Sequence, residues 1–190
     1  MYTQKAITDP DVVLLAQLAT TIREDYDDED DEWKSSPFAW IKTRPSRQIG
    51  AIGEKLISGW LAAKGFDVTR SPNSDADRIV NGLRAEIKFS TLWKNGGFKF
   101  QQIRNQDYDF ILMLGICPFD AFCWAVPKST VMEKWQSGDG IIAQHGGSTG
   151  VDTAWLGFPI DKPPRWLQSF GGSLKTLPSI ITRITNRRPL

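Results

Sequence analysis

Histidine is almost missing from this chain of 190 residues: there is one, His145. Zinc centres and histidine-based hydrolytic sites need more nitrogen and sulfur ligands than that. His145, in a Gln-His-Gly-Gly context, therefore reads as a loop residue that makes hydrogen bonds, and the chemistry is not expected to depend on it. Cysteine is nearly as scarce. Cys117 and Cys123 lie among apolar residues without metal-ligand spacing, which suits buried thiols of a cytosolic protein. Long apolar runs are missing too. Nothing approaches the roughly 18–20 residues of a membrane span, and the amino terminus carries no signal-peptide pattern, so a cytoplasmic protein without membrane contact is expected. No internal repeat is evident. The net charge of +1 shows no global basicity that would advertise a polyanionic partner. That absence excludes little, because a local basic stripe suffices. The stretch 24–32 is acidic at every position but Tyr26 and masks a basic remainder. It reads as a solvated acidic loop, with a regulatory or partner-binding segment as the alternative.

The length suits one domain over 1–190, with three parts: an N-terminal helix and acidic connector (1–45), a core (46–137) and a glycine- and aromatic-rich extension (138–190). Asp9-Pro10 opens a helix expected to run to about 22, Asp9 capping it and Pro10 in its first position. A second helix is expected over 46–64, ended by Gly65, with Ile49, Ile52, Leu56, Ile57, Trp60 and Ala63 forming its apolar stripe and Glu54 on the margin. Strands follow at 66–70, 76–80 and 83–90, then a helix at 101–106. The apolar run 109–116 is expected as a central strand covered on both faces, 121–126 as the next strand, and a helix begins at Pro127. Strands and turns are expected beyond 138, with a closing element near 180–185. This order predicts an α/β fold with a mixed central sheet flanked by helices. Most of the eight tryptophans fall on apolar faces and are expected in the core. Stacking against a single strand would need several of them on one exposed surface.

The most informative stretch is 77–88. Asn81-Gly82 is a strong hairpin signal, because a type I′ turn needs positive φ at both central residues. A two-residue loop there pairs Val80 with Leu83, Ile79 with Arg84, Arg78 with Ala85 and Asp77 with Glu86. Opposed residues share a face, as do strand residues two apart, so Lys88 joins the carboxylates of Asp77 and Glu86. Two crowded carboxylates repel unless a cation or proton relieves them, and hard oxygen ligands suit Mg²⁺. Asp75 is the rival first acid: in this register it faces Lys88, and a β-bulge could exchange its place with Asp77.

An acid, a short hairpin and Glu-x-Lys, with Gly53-Glu54 on the preceding helix, resemble the PD-(D/E)xK nuclease superfamily and its restriction-endonuclease-like core. Ala76 stands where the literal motif has proline. The resemblance covers roughly 46–127 and implies a DNA endonuclease dependent on Mg²⁺, with Mn²⁺ as a possible substitute. It implies that Asp77, Glu86 and the Ile87 backbone carbonyl hold the metal, with Glu54 in or beside that set. Lys88 would orient the attacking water. Gln102, following Phe98-Lys99-Phe100, is a secondary candidate, and Lys94, Lys99 and Arg104 are candidate phosphate contacts. Size, Ser36-Pro-Phe-Ala-Trp40 and Gly50-x-x-Gly53-Glu54 resemble, more narrowly, the small catalytic subunit of heterodimeric type IIS restriction endonucleases. That implies double-stranded DNA as substrate, and a larger DNA-recognising subunit or a second copy as partner. A self-sufficient homodimeric restriction, phage or repair nuclease, and an inactive nuclease-fold binding module, stay open.

Overall fold

A computed structural model describes residue 10 and residues 13–18, 31–143 and 153–186. The chain divides into two compact units, Met1–Ser36 and Pro37–Leu190. In the first, residues 10 and 13–18 are helical and Asp31–Trp33 form a 3-10 turn. The remainder of the helix expected over 9–22, most of the acidic stretch, and His145 lie outside the described residues.

The second unit is α/β, built on a six-stranded mixed sheet. Its order is β1 (Val68–Arg70), β2 (Arg78–Val80), β3 (Leu83–Thr91), β5 (Phe110–Ile116), β6 (Ala121–Pro127) and β9 (Gly171–Ser173). β3 and β5 run parallel; the other neighbours are antiparallel. A smaller antiparallel sheet contains β4 (Gly97–Ile103), β8 (Ala154–Pro159) and β7 (Ile141–Ala143), with β8 in the middle. The helices of this unit are α1 (Ala39–Lys42), α2 (Ser46–Ala63), α3 (Lys128–Ser137) and α4 (Leu177–Thr185). Among the described residues no helix is long and apolar enough to cross a membrane.

The hairpin forms as its turn residues dictate. Asn81 and Gly82 have φ of 48° and 81°, and Val80–Leu83, Ile79–Arg84 and Arg78–Ala85 pair in sequence. Asn81 also clasps Asp67, its Oδ1 accepting from the Asp67 N–H and its own N–H donating to the Asp67 carbonyl, both at 2.9 Å. Every residue of β5 is buried, as a continuous apolar run between two covered faces requires. α2 covers one of those faces. Its Gly53 lies so close to β3 that an added Cβ would stand 2.2 Å from Phe89 Cγ. The small sheet covers the other face, where the Phe98 ring lies over Gly115 and joins a cluster with Phe100, Phe122, Trp124 and Phe158.

Several expectations are corrected. The helix over 101–106 does not form: Gln101 and Gln102 continue β4 to Ile103. Phe98 and Phe100 alternate into the core, and Ile103 is fully buried opposite Ala154, a position that a helix starting at 101 would forfeit. The crossover from β3 to β5 thus runs through a strand of the second sheet. The first strand is shorter than expected, starting at Val68. The buried ridge of α2 is Gly53, Ile57 and Leu61, while Ala63 is exposed. Trp33 and Trp124 are buried and Trp135 and Trp166 pack against the core, whereas Trp40 and Trp93 are about half exposed. Cys117 and Cys123 are buried thiols, as expected.

Candidate active site

The hairpin register ends at Arg78. The Asp77 N–H donates to the Ala85 carbonyl at 3.0 Å, although Ala85 is already the partner of Arg78. Asp77 is therefore displaced from the ladder position opposite Glu86 that uninterrupted pairing would give it. Its carboxylate takes over the ladder's work, with Oδ2 accepting the Ile87 N–H at 2.7 Å. This places the first acid at the edge of β3, between Glu86 and Lys88 in chain position. Asp75 does not take that role. Its N–H donates to Asn73 Oδ1 at 3.3 Å, and the ion pair of Lys88 is made with Glu86.

Glu86 and Lys88 alternate to one face of β3, and Lys88 Nζ meets Glu86 Oε1 at 2.5 Å. Glu86 is only 6% exposed. Burial pushes its carboxyl above the usual carboxylate range and the charge of Asp77 adds to that, while Lys88 and Arg104 oppose it. A buried carboxyl crowded by a second one is a place where a cation is favoured. Beside it stands Tyr108, 2% exposed, whose hydroxyl has no hydrogen-bond partner. Burial and the charge of Glu86 both push the phenol upward, so it stays a neutral donor. Nothing in the sequence pattern marks Tyr108; its connection to Glu86 is made by the fold alone.

Glu54 lies elsewhere. α2 packs on the Phe89 face of β3, opposite to the Lys88 face, and the Glu54 carboxylate forms an ion pair with Arg78 Nη1. Arg78 Nη1 also donates to the Asp77 carbonyl at 2.7 Å. Glu54 thus reaches the acid hairpin through Arg78 and makes no contact with Glu86 or Lys88 among the described interactions.

Lys88, paired with Glu86, lines an open cleft of about 740 Å³. Arg47 from α2 and Lys99 from β4 line the same cleft, with Gln101 and Gln102 on its wall, and among the described residues no acidic one lines it. β4 spans three steps from Phe100 to Ile103 where β8 spans two from Leu156 to Ala154, so one extra residue bulges outward. Gln102 takes the strain, with φ of 56°. Both glutamine side chains are exposed. The bulge, absent from any helical reading of this segment, is what turns them to the cleft. Arg104 is exposed and acts on Glu86 through its charge; Lys94 is exposed in the turn after β3 and does not line the cleft.

Among the described residues no three His, Cys, Asp or Glu side chains gather into a metal-holding group. Asp77 and Glu86 offer two hard carboxylates. That suits Mg²⁺, which is commonly held by one or two carboxylates and keeps several waters. Burial is the main cause that raises the Glu86 carboxyl, with Asp77 adding to it, and the Lys88 ammonium is the cation that stands beside it here.

No protein-family model matches the chain, and no curated protein does. Among solved structures, a bacterial homing endonuclease, I-Ssp6803I, is similar at a TM-score of 0.48 and 13% identity, over 73% of this chain and 94% of that one.

Proposed function

We propose that this protein is a metal-dependent DNA endonuclease that hydrolyses phosphodiester bonds at the Asp77–Glu86–Lys88 site. The observation that carries the reading is the double position of Lys88. Its ammonium is bound to Glu86, and the same side chain lines a cleft whose other charged residues are Arg47 and Lys99. A phosphate backbone laid in that cleft meets cations on both walls and comes up against Lys88, whose ammonium is paired with Glu86. Affinity for DNA comes largely from such neutralisation.

Asp77 and Glu86 would hold Mg²⁺, with the Ile87 carbonyl as a further oxygen. Bound there, such an ion would supply Lewis-acid stabilisation of charge on the scissile phosphate and a water more easily deprotonated near neutral pH. Lys88 neutralises a phosphoryl oxygen and orients the water. Arg78 positions Asp77 through its carbonyl and is itself held by Glu54. The resemblance of this acid, hairpin and Glu-x-Lys to the PD-(D/E)xK nucleases supports the same assignment. Cleavage of supercoiled plasmid with Mg²⁺ tests it: Glu86→Ala and Lys88→Ala are each expected to abolish nicking while the circular dichroism spectrum is unchanged. Full activity in either variant would reject the site.

One observation favours a second reading, an inactive nuclease fold retained for binding. Glu54 is engaged by Arg78, leaving two acids where the resemblance suggests three. Calorimetric titration with Mg²⁺ separates the two. The endonuclease binds the ion and loses it with Glu86→Ala, whereas the inactive module shows no heat in either.

A further inference from the structure

We infer that Trp93, Lys99 and Trp155 form a binding site for an unpaired nucleobase and its phosphate, opening from the cleft. The inference rests on the reading of that cleft as a DNA site and adds which part of the DNA it takes.

The site follows from strand alternation. Phe98 and Phe100 turn inward, so Lys99 between them turns outward. Its partner on β8 is Gly157, which has no side chain to oppose it. Trp155, two residues away on the same strand, lays its ring into that space: a Cβ added to Gly157 would stand 2.8 Å from Trp155 Cζ3. Trp93 comes from the turn between β3 and β4. That turn is closed by the Gly96 N–H donating to the Trp93 carbonyl and the Trp93 N–H donating to the Gly97 carbonyl, both at 2.9 Å. The Lys99 ammonium lies 5.4 Å from the centre of the Trp93 ring and 4.6 Å from that of Trp155.

Two aromatic faces around one cation match the two parts of a nucleotide, a flat π-surface and a phosphate. The hollow they line, with Asn95 and Pro159, is about 320 Å³, at the lower end of small-ligand sites and suited to one flat ring system. Trp93 and Lys99 line both this hollow and the larger cleft, so the two are joined. Trp93 is 48% exposed, a large apolar face left open beside a basic channel. A base stacked inside a duplex has both faces covered and cannot use it. A base at a frayed end, a flap or a single strand can. Because every base presents a π-face, the site selects unpaired structure and not sequence.

The test is fluorescence anisotropy with the full chain carrying Glu86→Ala, in EDTA, on three labelled DNAs: a blunt duplex, the same duplex with a three-nucleotide unpaired tail, and a single strand. The tailed duplex is expected to bind about tenfold more tightly than the blunt one. Trp155→Ala and Trp93→Ala should each collapse that ratio toward one, and Trp93→Phe should keep most of it. Gly157→Ala, which displaces the Trp155 ring without removing it, should lower the ratio as well. Equal affinity of the unsubstituted background for blunt and tailed duplex, or a ratio indifferent to both alanine variants, would overturn the site; rings that only brace the turn against the sheet would change the melting temperature and leave the ratio alone. Plasmid cleavage by the wild-type chain, run in parallel, reports on the endonuclease separately. Cutting without a tail preference rejects only the base site, and a tryptophan-dependent tail preference without cutting rejects only the endonuclease.

Discussion

Asp77 and Ile87 are joined by a carboxylate standing in for a peptide carbonyl: Asp77 Oδ2 accepts the Ile87 N–H at 2.7 Å, at the point where regular strand pairing stops. Ile87 is buried, so its N–H has no water to fall back on. The acid that would hold a metal also has a structural duty, and the two can be separated. Asp77→Ala leaves the N–H unsatisfied and is expected to cost about 1–3 kcal/mol. Asp77→Asn keeps an acceptor oxygen and should recover most of that stability, yet bind Mg²⁺ no better than Asp77→Ala. Urea denaturation alongside calorimetry checks both halves. Equal stability of the two variants would show that the bond carries no weight.

Much of this geometry was legible in the chain. Asn81-Gly82 announces positive φ at two successive positions, and period-two alternation then puts Glu86 and Lys88 on one face. The run 109–116 reads as a buried strand because nothing polar interrupts it after Asp109, and the strand begins at Phe110. Local pattern fails where tertiary partners decide. Gln-Gln-Ile-Arg-Asn-Gln at 101–106 carries no strand signal of its own, and becomes strand and bulge because β8 offers Ala154 to Ile103. The engagement of Glu54 with Arg78 joins a helix to a hairpin well beyond it in the chain, which no spacing rule anticipates. Tyr108 precedes a strand without any motif, and only the folded sheet brings it to Glu86. The displaced register at Asp77 is hidden for the same reason, since a bulge inserts no characteristic residue.

The buried state of Glu86 predicts a pH dependence of stability. Its carboxyl is held above the ordinary value, chiefly by burial and further by Asp77. The folded chain therefore binds that proton more tightly than the unfolded chain does. The resulting stabilisation is fully present below the ordinary glutamate pKa of about 4.3 and is lost as pH rises through the higher folded value. Glu86→Gln cannot titrate. Relative to that variant, the wild type should lose stability as pH climbs above about 4.3 and then level off. Thermal melts across pH 3.5–8 in roughly half-unit steps suffice, as a shift of one unit is about 1.4 kcal/mol. Parallel curves would mean that Glu86 is not perturbed. Saturating Mg²⁺ at neutral pH should recover the lost stability in the wild type alone.

Gly53 and Gly59 lie on one helix and should respond in opposite directions to alanine. A Cβ on Gly59 meets nothing within 4 Å, so Gly59→Ala should follow helix propensity and stabilise by about 0.5–1 kcal/mol. A Cβ on Gly53 would stand 2.2 Å from Phe89 Cγ, at the root of a ring packed against β3. Overpacking of this kind typically costs about 1–3 kcal/mol, more than the propensity gain. Gly53→Ala should therefore destabilise in urea, and it should also weaken cleavage by lifting Glu54 away from Arg78. A neutral or stabilising Gly53→Ala would show that α2 can shift without consequence, and Glu54 would lose its claim to a positioning role.

The last prediction concerns what the chain does alone. The proposed site addresses one phosphate, since a single Lys88, paired with Glu86, lines the cleft, so it cuts one strand. A double-strand break then requires a second site, from another copy or from a different subunit. The cations lining the cleft are Arg47, Lys88 and Lys99, and net charge over the whole chain is only +1. Few phosphates are neutralised by such a surface, which predicts weak binding at physiological salt and a shallow salt dependence. No helix of the described residues stands out as a recognition element for the major groove, and a site selective for unpaired bases supplies no sequence reading. The isolated chain is therefore expected to nick plasmid slowly and to shift random-sequence and specific duplexes alike. Gel shifts and plasmid cleavage on the purified chain, alone and with the products of neighbouring genes, measure this. Tight site-specific binding with efficient double-strand cutting by the chain alone would replace partner dependence with a self-sufficient homodimer.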